Sequence, residues 1–142
     1  TLQADLGVSY LFISHDLSVV RHMSDRIVVL YRGRIMEIGD ATDIHDRPAH
    51  PYTQTLLAAS PIPDPGEQRH QREFIELSMR PAMPGAPVTG CRFANRCPFT
   101  TAICVAEEPP LAPGPTGTIV ACHHSDVAVQ SFSAAGGSER TA

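Results

Sequence analysis

The stretch Val8-Ser9-Tyr10-Leu11-Phe12-Ile13-Ser14-His15-Asp16-Leu17 sets a nearly unbroken apolar run against an abrupt polar break. Val, Tyr, Phe and Ile are strand-forming types, and a run of them without alternation fits a strand buried on both faces in a parallel sheet. Asp16 is placed to cap a following helix in which Leu17, Val20 and Met23 share one side, with Ser24-Asp25 closing it. The unit is strand, polar elbow, helix. A histidine at the carboxyl end of such a strand, as His15 is, sits where open α/β sheets bind ligands, and its imidazole can donate to a phosphate. Taken alone, His15 reads more simply as a polar loop residue.

Beyond this unit, Arg26–Tyr31 (R-I-V-V-L-Y) and Arg34–Ile38 (R-I-M-E-I) flank Arg32-Gly33, a two-residue connection whose glycine supplies positive φ. A hairpin is expected. A short helix capped by Thr42 and ended by Pro48 follows, and then a second helix from Pro51 to about Ala59 that buries Tyr52, Leu56 and Leu57. Ser60-Pro61-Ile62-Pro63-Asp64-Pro65-Gly66 breaks all periodicity and reads as a semi-rigid linker. Glu73–Leu77 suits one strand and Pro81–Gly90 a loop. The cysteine-bearing stretch beyond has little regular pattern, and from Ser125 the Ser, Ala and Gly content predicts disorder.

Composition excludes several functions. The net charge is -4 and all 11 basic residues are Arg, without the long basic stripe that a nucleic-acid footprint requires. With no Lys, the chain holds no complete P-loop, whose Lys reaches the terminal phosphates of a nucleotide. No apolar run approaches the roughly 18 residues that cross a bilayer, and no basic-then-apolar secretion signal is present. The chain reads as soluble and cytoplasmic.

The string Tyr10–Leu17, followed by Val28-Val29-Leu30-Tyr31-Arg32-Gly33-Arg34-Ile35-Met36-Glu37-Ile38-Gly39, resembles the switch-histidine region and terminal hairpin of ABC transporter ATPases. The resemblance implies that His15 is the switch histidine, which contacts the γ-phosphate of ATP and helps orient the attacking water. Family chemistry of this kind rests on positioning and electrostatic stabilisation of phosphoryl transfer, with magnesium holding the phosphates. The P-loop, signature motif and acidic strand would all precede Thr1, so an isolated chain of this sequence is expected to be inactive, and Thr1 is expected to be an artificial beginning. Asp43-Ile44 and Arg47-Pro48-Ala49-His50-Pro51-Tyr52-Thr53-Gln54 look like the extension found in dipeptide, oligopeptide and nickel importer ATPases. Residue by residue, His50, Pro51 and Tyr52 need no role beyond capping, starting and anchoring a helix.

Cys91, Cys97, Cys104 and Cys122 are spaced C-x5-C-x6-C-x17-C. Cytosolic thiols stay reduced, so their clustering in a loop-rich segment argues for a metal site over disulfides. Four metal–sulfur bonds would supply the constraint that so little apolar material cannot. Spacing leaves the metal open: zinc favours close C-x2-C pairs, absent here, while iron–sulfur cubanes accept looser spacings and often a Pro after one Cys, as in Cys97-Pro98. Gly90–Phe99, with Cys104, Glu108-Pro109-Pro110-Leu111 and Val120-Ala121-Cys122-His123, resembles the carboxy-terminal cysteine module of the same importers, which implies a [4Fe-4S] cluster on the four cysteines. Arg92 and Arg96 read as solvated, and His123 as incidental.

The expected fold is α/β: residues 1–60 the carboxy-terminal part of an ABC-type P-loop ATPase domain, 61–90 a Pro-rich linker, 91–124 a small irregular cysteine-rich metal module, and 125–142 a disordered tail. The resemblance implies part of a subunit that hydrolyses ATP to power peptide import at the cytoplasmic face of the bacterial inner membrane. Its partners would be a second ATPase subunit, membrane-spanning permease subunits and, indirectly, a peptide-binding protein. The competing reading is a stand-alone metal-binding module that docks or regulates through its hairpin.

Overall fold

The computed structural model describes residues 6–14, 17–59 and 89–133. Helix α1 (Leu17–Met23) leads into strands β1 (Arg26–Tyr31) and β2 (Arg34–Asp40), which are followed directly by α2 (Ala41–Asp46) and then by α3 (Pro51–Ala58). A 3-10 turn (Ala94–Arg96), helix α4 (Ala102–Ala106), two-residue strands β3 (Ala112–Pro113) and β4 (Ile119–Val120), and helix α5 (Ser125–Phe132) complete it. The strands form one antiparallel sheet in the order β1-β2-β4-β3.

The expected hairpin is present, and both turn residues are left-handed, Arg32 at φ 47° and Gly33 at φ 76°. That backbone twist matches the twist of the flanking strands, and glycine adopts it without steric cost. The register contains one irregularity with large consequences. Val29 pairs with Glu37 and Leu30 with Ile35, which leaves Met36 as an extra residue on β2. A bulge of this kind resets the alternation of faces. Glu37 thereby lies opposite buried Val29, on the face that carries Ile27, instead of pointing to solvent.

That face builds the first core. Ile27 and Val29 pack with Leu17 of α1, Ala41 and Ile44 of α2 and Leu57 of α3. Each large aliphatic side chain buried here contributes about 1.5–3 kcal/mol. The second core consists of Cys91, Phe93, Ala94 and Cys104, with Tyr31 and Tyr52 packed against it. The Tyr31, Tyr52 and Phe93 rings meet at centroid separations of 4.6 to 5.4 Å and tilted or edge-on angles, which suit aromatic quadrupoles. This trio joins the hairpin, α3 and the cysteine stretch.

Several expectations are corrected. The run Val8–Ile13 is no strand: Leu11 and Ile13 are 92% and 96% exposed, and the only order there is a Tyr10–Phe12 ring stack at 5.9 Å. A strand buried on both faces needs neighbours, and none of the described residues provides them. In α1, Leu17 is buried but Met23 is largely exposed. Helix α2 is not capped by Thr42. It begins right after Asp40 without a side-chain cap, and its first amide, on Ala41, donates to the Asp25 carbonyl at 3.0 Å. Helix α3 begins at Pro51 as expected, yet it buries Thr53, Gln54, Leu57 and Ala58 more deeply than Tyr52 or Leu56.

The cysteine stretch, expected to lack regular pattern, supplies β3 and β4 to the sheet. Residues 125–132, expected to be disordered, form α5. Its Ala128 is wholly buried, and the Ala128 carbonyl accepts a hydrogen bond from the Gln54 amide at 2.9 Å. The elbow residues His15 and Asp16, the linker and the strand expected over 73–77 lie outside the described residues.

Candidate metal centre

Glu37 is the hub on which the cysteine region is hung. It is fully buried, and Oε1 accepts from the Ala49 amide at 2.8 Å and from the Thr118 hydroxyl at 2.9 Å, while Oε2 accepts from the His50 amide at 3.0 Å. Two of these donors are free amides at the entrance to α3, where a helix leaves its first N–H groups unpaired and favours negative charge. The third comes from the residue next to β4, so one carboxylate joins β2, α3 and the cysteine region. Burial pushes the Glu37 pKa up; the accepted hydrogen bonds pull it back only in part. The Thr53 hydroxyl lies close enough to favour the charged form but falls outside hydrogen-bonding geometry.

Gly39, on the same strand, lets Thr118 approach: a Cβ there would stand 2.6 Å from the Thr118 Cγ2. Gly90 does the same for the cysteines. A Cβ on it would collide with the Cys104 carbonyl, and the close approach lets the Cys91 amide donate to that carbonyl at 2.8 Å.

All four cysteines are free thiols and line one cavity of about 10 Å³, together with His50, His123 and His124 among others. Cys91 follows Gly90, Cys97 closes the 3-10 turn through its amide to the Ala94 carbonyl at 3.2 Å, Cys104 lies within α4, and Cys122 follows β4. The Cys122 sulfur accepts from the His124 amide at 3.4 Å, and the Thr101 hydroxyl lies 3.6 Å from the Cys104 sulfur. Burial pushes the Cys97 thiol up to about 12 and the Cys122 thiol up to about 11, with the neighbouring thiols adding to both, and it raises Cys91 in the same direction. Such thiols stay protonated without a cation to draw off the proton.

In number and kind this donor set suits a soft metal group. Among the described residues, no three His, Cys, Asp or Glu side chains are grouped to hold a metal ion. The structure thus brings the four expected ligands to one cavity without drawing them into a single-ion site, and the cavity as it stands has room for little more than one water.

The histidines divide differently from expectation. His123 turns its Nε2 to the Glu107 carbonyl at 3.1 Å, and His124 pairs with the Thr101 hydroxyl at 2.7 Å. His50 does cap α3, its Nδ1 accepting from the Tyr52 amide at 3.0 Å, but it is also buried against the cysteine cavity. Burial pushes its pKa down to about 3, so it is neutral at pH 7. The Ala121 carbonyl is near enough to favour a proton on the ring without reaching hydrogen-bonding geometry. Arg92 and Arg96 are exposed, as expected. Sequence reasoning passed over Glu37 and Thr118. An acidic residue inside an apolar strand was the available signal, and the bulge at Met36 concealed which face it occupies.

Residues 36–104 match the family described as the oligopeptide/dipeptide transporter C-terminal region. The chain is 44% identical over 122 residues to a probable peptide ABC transporter ATP-binding protein of Sinorhizobium fredii, an alignment covering 86% of this chain and 34% of that protein. It is 43% identical over 122 residues to the oligopeptide transport ATP-binding protein AppF of Bacillus subtilis, covering 86% of this chain and 37% of that protein. The chain spans about a third of the length of these relatives. Among the described residues, no helix is long and apolar enough to cross a membrane.

Proposed function

For a chain that carries the C-terminal region of the oligopeptide/dipeptide transporter family, we propose a role as the metal-stapled end of an ATP-hydrolysing subunit that powers peptide import. The observation that carries this reading is the convergence of Cys91, Cys97, Cys104 and Cys122 on one cavity, hung from the hairpin and α3 through Glu37. A subunit of this kind needs its terminal region locked to the hairpin that follows the catalytic elbow. The buried carboxylate and the aromatic trio provide that lock.

The four cysteines are the ligands, and the group they hold is a [4Fe-4S] cluster. The absence of a close C-x2-C pair and the resemblance of Gly90–Phe99, Cys104 and Val120–His123 to the importers' cysteine module support a cluster over zinc. When bound, the cluster supplies four iron–sulfur bonds that constrain a region poor in apolar side chains. The chain's own part is to hold the thiols in place: Gly90 through its close approach to Cys104, the 3-10 turn through Cys97, and β4 through Cys122. A larger cavity of about 310 Å³ shares Cys91 with the cysteine cavity, but it is lined mainly by the hairpin and by Glu108, Pro109 and Leu111, and the role we assign to the cysteines is structural.

His15 contacts the γ-phosphate of ATP held with magnesium by the remainder of the subunit. The subunit works with a second ATPase subunit and with permease subunits at the inner face of the membrane, fed by a peptide-binding protein. The run Val8–Ile13 then lies within the sheet of the intact ATPase domain, and its apolar side chains find their partners there.

In the full-length subunit, H15A should abolish ATP hydrolysis while leaving magnesium–ATP binding within a few-fold of the parent. An H15A subunit that hydrolyses ATP at the parental rate would overturn the assignment. Titration calorimetry on the chain alone should show no ATP binding, because it has no P-loop lysine; micromolar, magnesium-dependent binding would contradict that expectation.

A further inference from the structure

The His50 ring has two nitrogens and only one of them is accounted for. Nδ1 accepts a hydrogen bond from the Tyr52 amide, so it is the bare nitrogen and the ring proton resides on Nε2. Nε2 is buried in a residue that is 1% exposed and makes no hydrogen bond, because the Ala121 carbonyl beside the ring falls outside hydrogen-bonding geometry. A buried N–H without an acceptor is uncommon in a folded protein and calls for an explanation. The ring lines the cavity that holds all four thiols, and its backbone amide is fixed by the Glu37 carboxylate. A donor is therefore held rigidly beside four sulfurs, and a sulfur bearing negative charge is the acceptor it lacks.

We infer that His50 is a positioning residue for the metal group: its Nε2–H donates to a sulfur of the cluster or of a ligating thiolate. This rests on the reading of the cysteine cavity as a cluster site. The same ring caps α3, so the helix start and the sulfur environment are set by opposite nitrogens of one side chain. A hydrogen bond to a sulfur offsets the extra negative charge of the reduced cluster and raises its reduction potential.

Two substitutions separate the functions of the ring. H50N keeps an acceptor near the Nδ1 position, and Asn is a strong helix cap, but it withdraws the distal donor. H50Q carries an amide N–H close to the Nε2 position and loses the cap. The measurement is a spectroelectrochemical titration of the full-length subunit, purified anaerobically, with iron and acid-labile sulfide assayed on each protein.

H50N is expected to shift the one-electron equilibrium about tenfold toward the oxidised form, a fall of about 59 mV. H50Q is expected to stay near the parental potential while melting at a lower temperature. A loaded parent whose potential is unchanged in H50N, or that shifts equally in both variants, would overturn the role of His50 and leave the cluster in place. A parent that takes up no iron would overturn the cluster reading and this inference together. Should H50N fail to fold, pulsed electron paramagnetic resonance of the reduced, ¹⁵N-histidine-labelled parent decides. A weak nitrogen coupling that persists in H50Q would place the donor on another histidine, and one that vanishes there would assign it to His50.

Discussion

The opening segment and the cysteine segment invert the usual relation between composition and order. Residues 8–13 are almost wholly apolar, yet Leu11 and Ile13 stand nearly free in solvent. Residues 89–124 are rich in Pro, Gly and polar side chains, yet they hold Phe93 at 3% and Ala94 at 2% exposure. Apolar side chains order a segment only when partners on both sides can receive them, and in this chain the opening run has none among the described residues. The cysteine segment succeeds because its partners are present: β2 for its strand, Tyr31 and Tyr52 for its ring, and Glu37 for its polar groups.

If that contrast is correct, cutting the polar tether should cost most. E37A orphans the buried Ala49 and His50 amides and leaves the Thr118 hydroxyl only its Thr116 partner, and it should lower stability by about 3–5 kcal/mol in urea unfolding. Amide exchange should then rise in residues 112–122 before it rises in β1. A loss below about 1 kcal/mol would mean that the sheet and the aromatic trio suffice without the carboxylate. The same residue gives a pH signature. Burial holds the Glu37 pKa above its ordinary 4.5, so the folded state binds more protons than the unfolded state between that value and the folded one. Stability contributed by Glu37 is therefore greatest below pH 4.5 and declines as pH rises through the folded pKa. E37Q should flatten that decline.

A smaller effect tests the close approach of β2 and the cysteine segment. G39A should cost about 1–3 kcal/mol, because its Cβ meets the Thr118 Cγ2. T118S removes that methyl group but keeps the hydroxyl on Glu37, so the double variant should recover most of the loss. Failure to recover would place the strain elsewhere than at this contact. The smallest effect belongs to the opening segment. L11S combined with I13S should change the stability of this chain by no more than about 0.5 kcal/mol, as surface substitutions do. In the full-length subunit the same pair should destabilise severely if, as proposed, these side chains enter a core there. Equal, small effects in both would break the comparison.

The hairpin was legible in the sequence because Arg32-Gly33 separates two runs of fixed length, and α3 because Pro51 can only open a helix. The four cysteines were legible as a set, since their chemistry does not depend on knowing the fold. Glu37 was not, because strand parity fails once a bulge intervenes, and nothing in R-I-M-E-I announces the bulge at Met36. Strands β3 and β4 span two residues each, too short for any period; β4 is held by pairing with β2, and β3 by pairing with β4. Helix α5 was hidden by its polar composition: one buried methyl group, on Ala128, and the Gln54 amide on the same residue's carbonyl hold it to α3. The second nitrogen of His50 was invisible for another reason: its burial depends on a contact between segments far apart in the chain.

The central claim is that the four thiols meeting at one cavity hold an iron–sulfur cluster that staples the cysteine segment to the hairpin. Quantifying iron, zinc and acid-labile sulfide in the anaerobically purified full-length subunit tests it most directly. The account predicts iron and sulfide in equal amounts, about four of each per chain for a cubane, lost together in C97S. Stoichiometric zinc, or a parent protein free of metal, would contradict it.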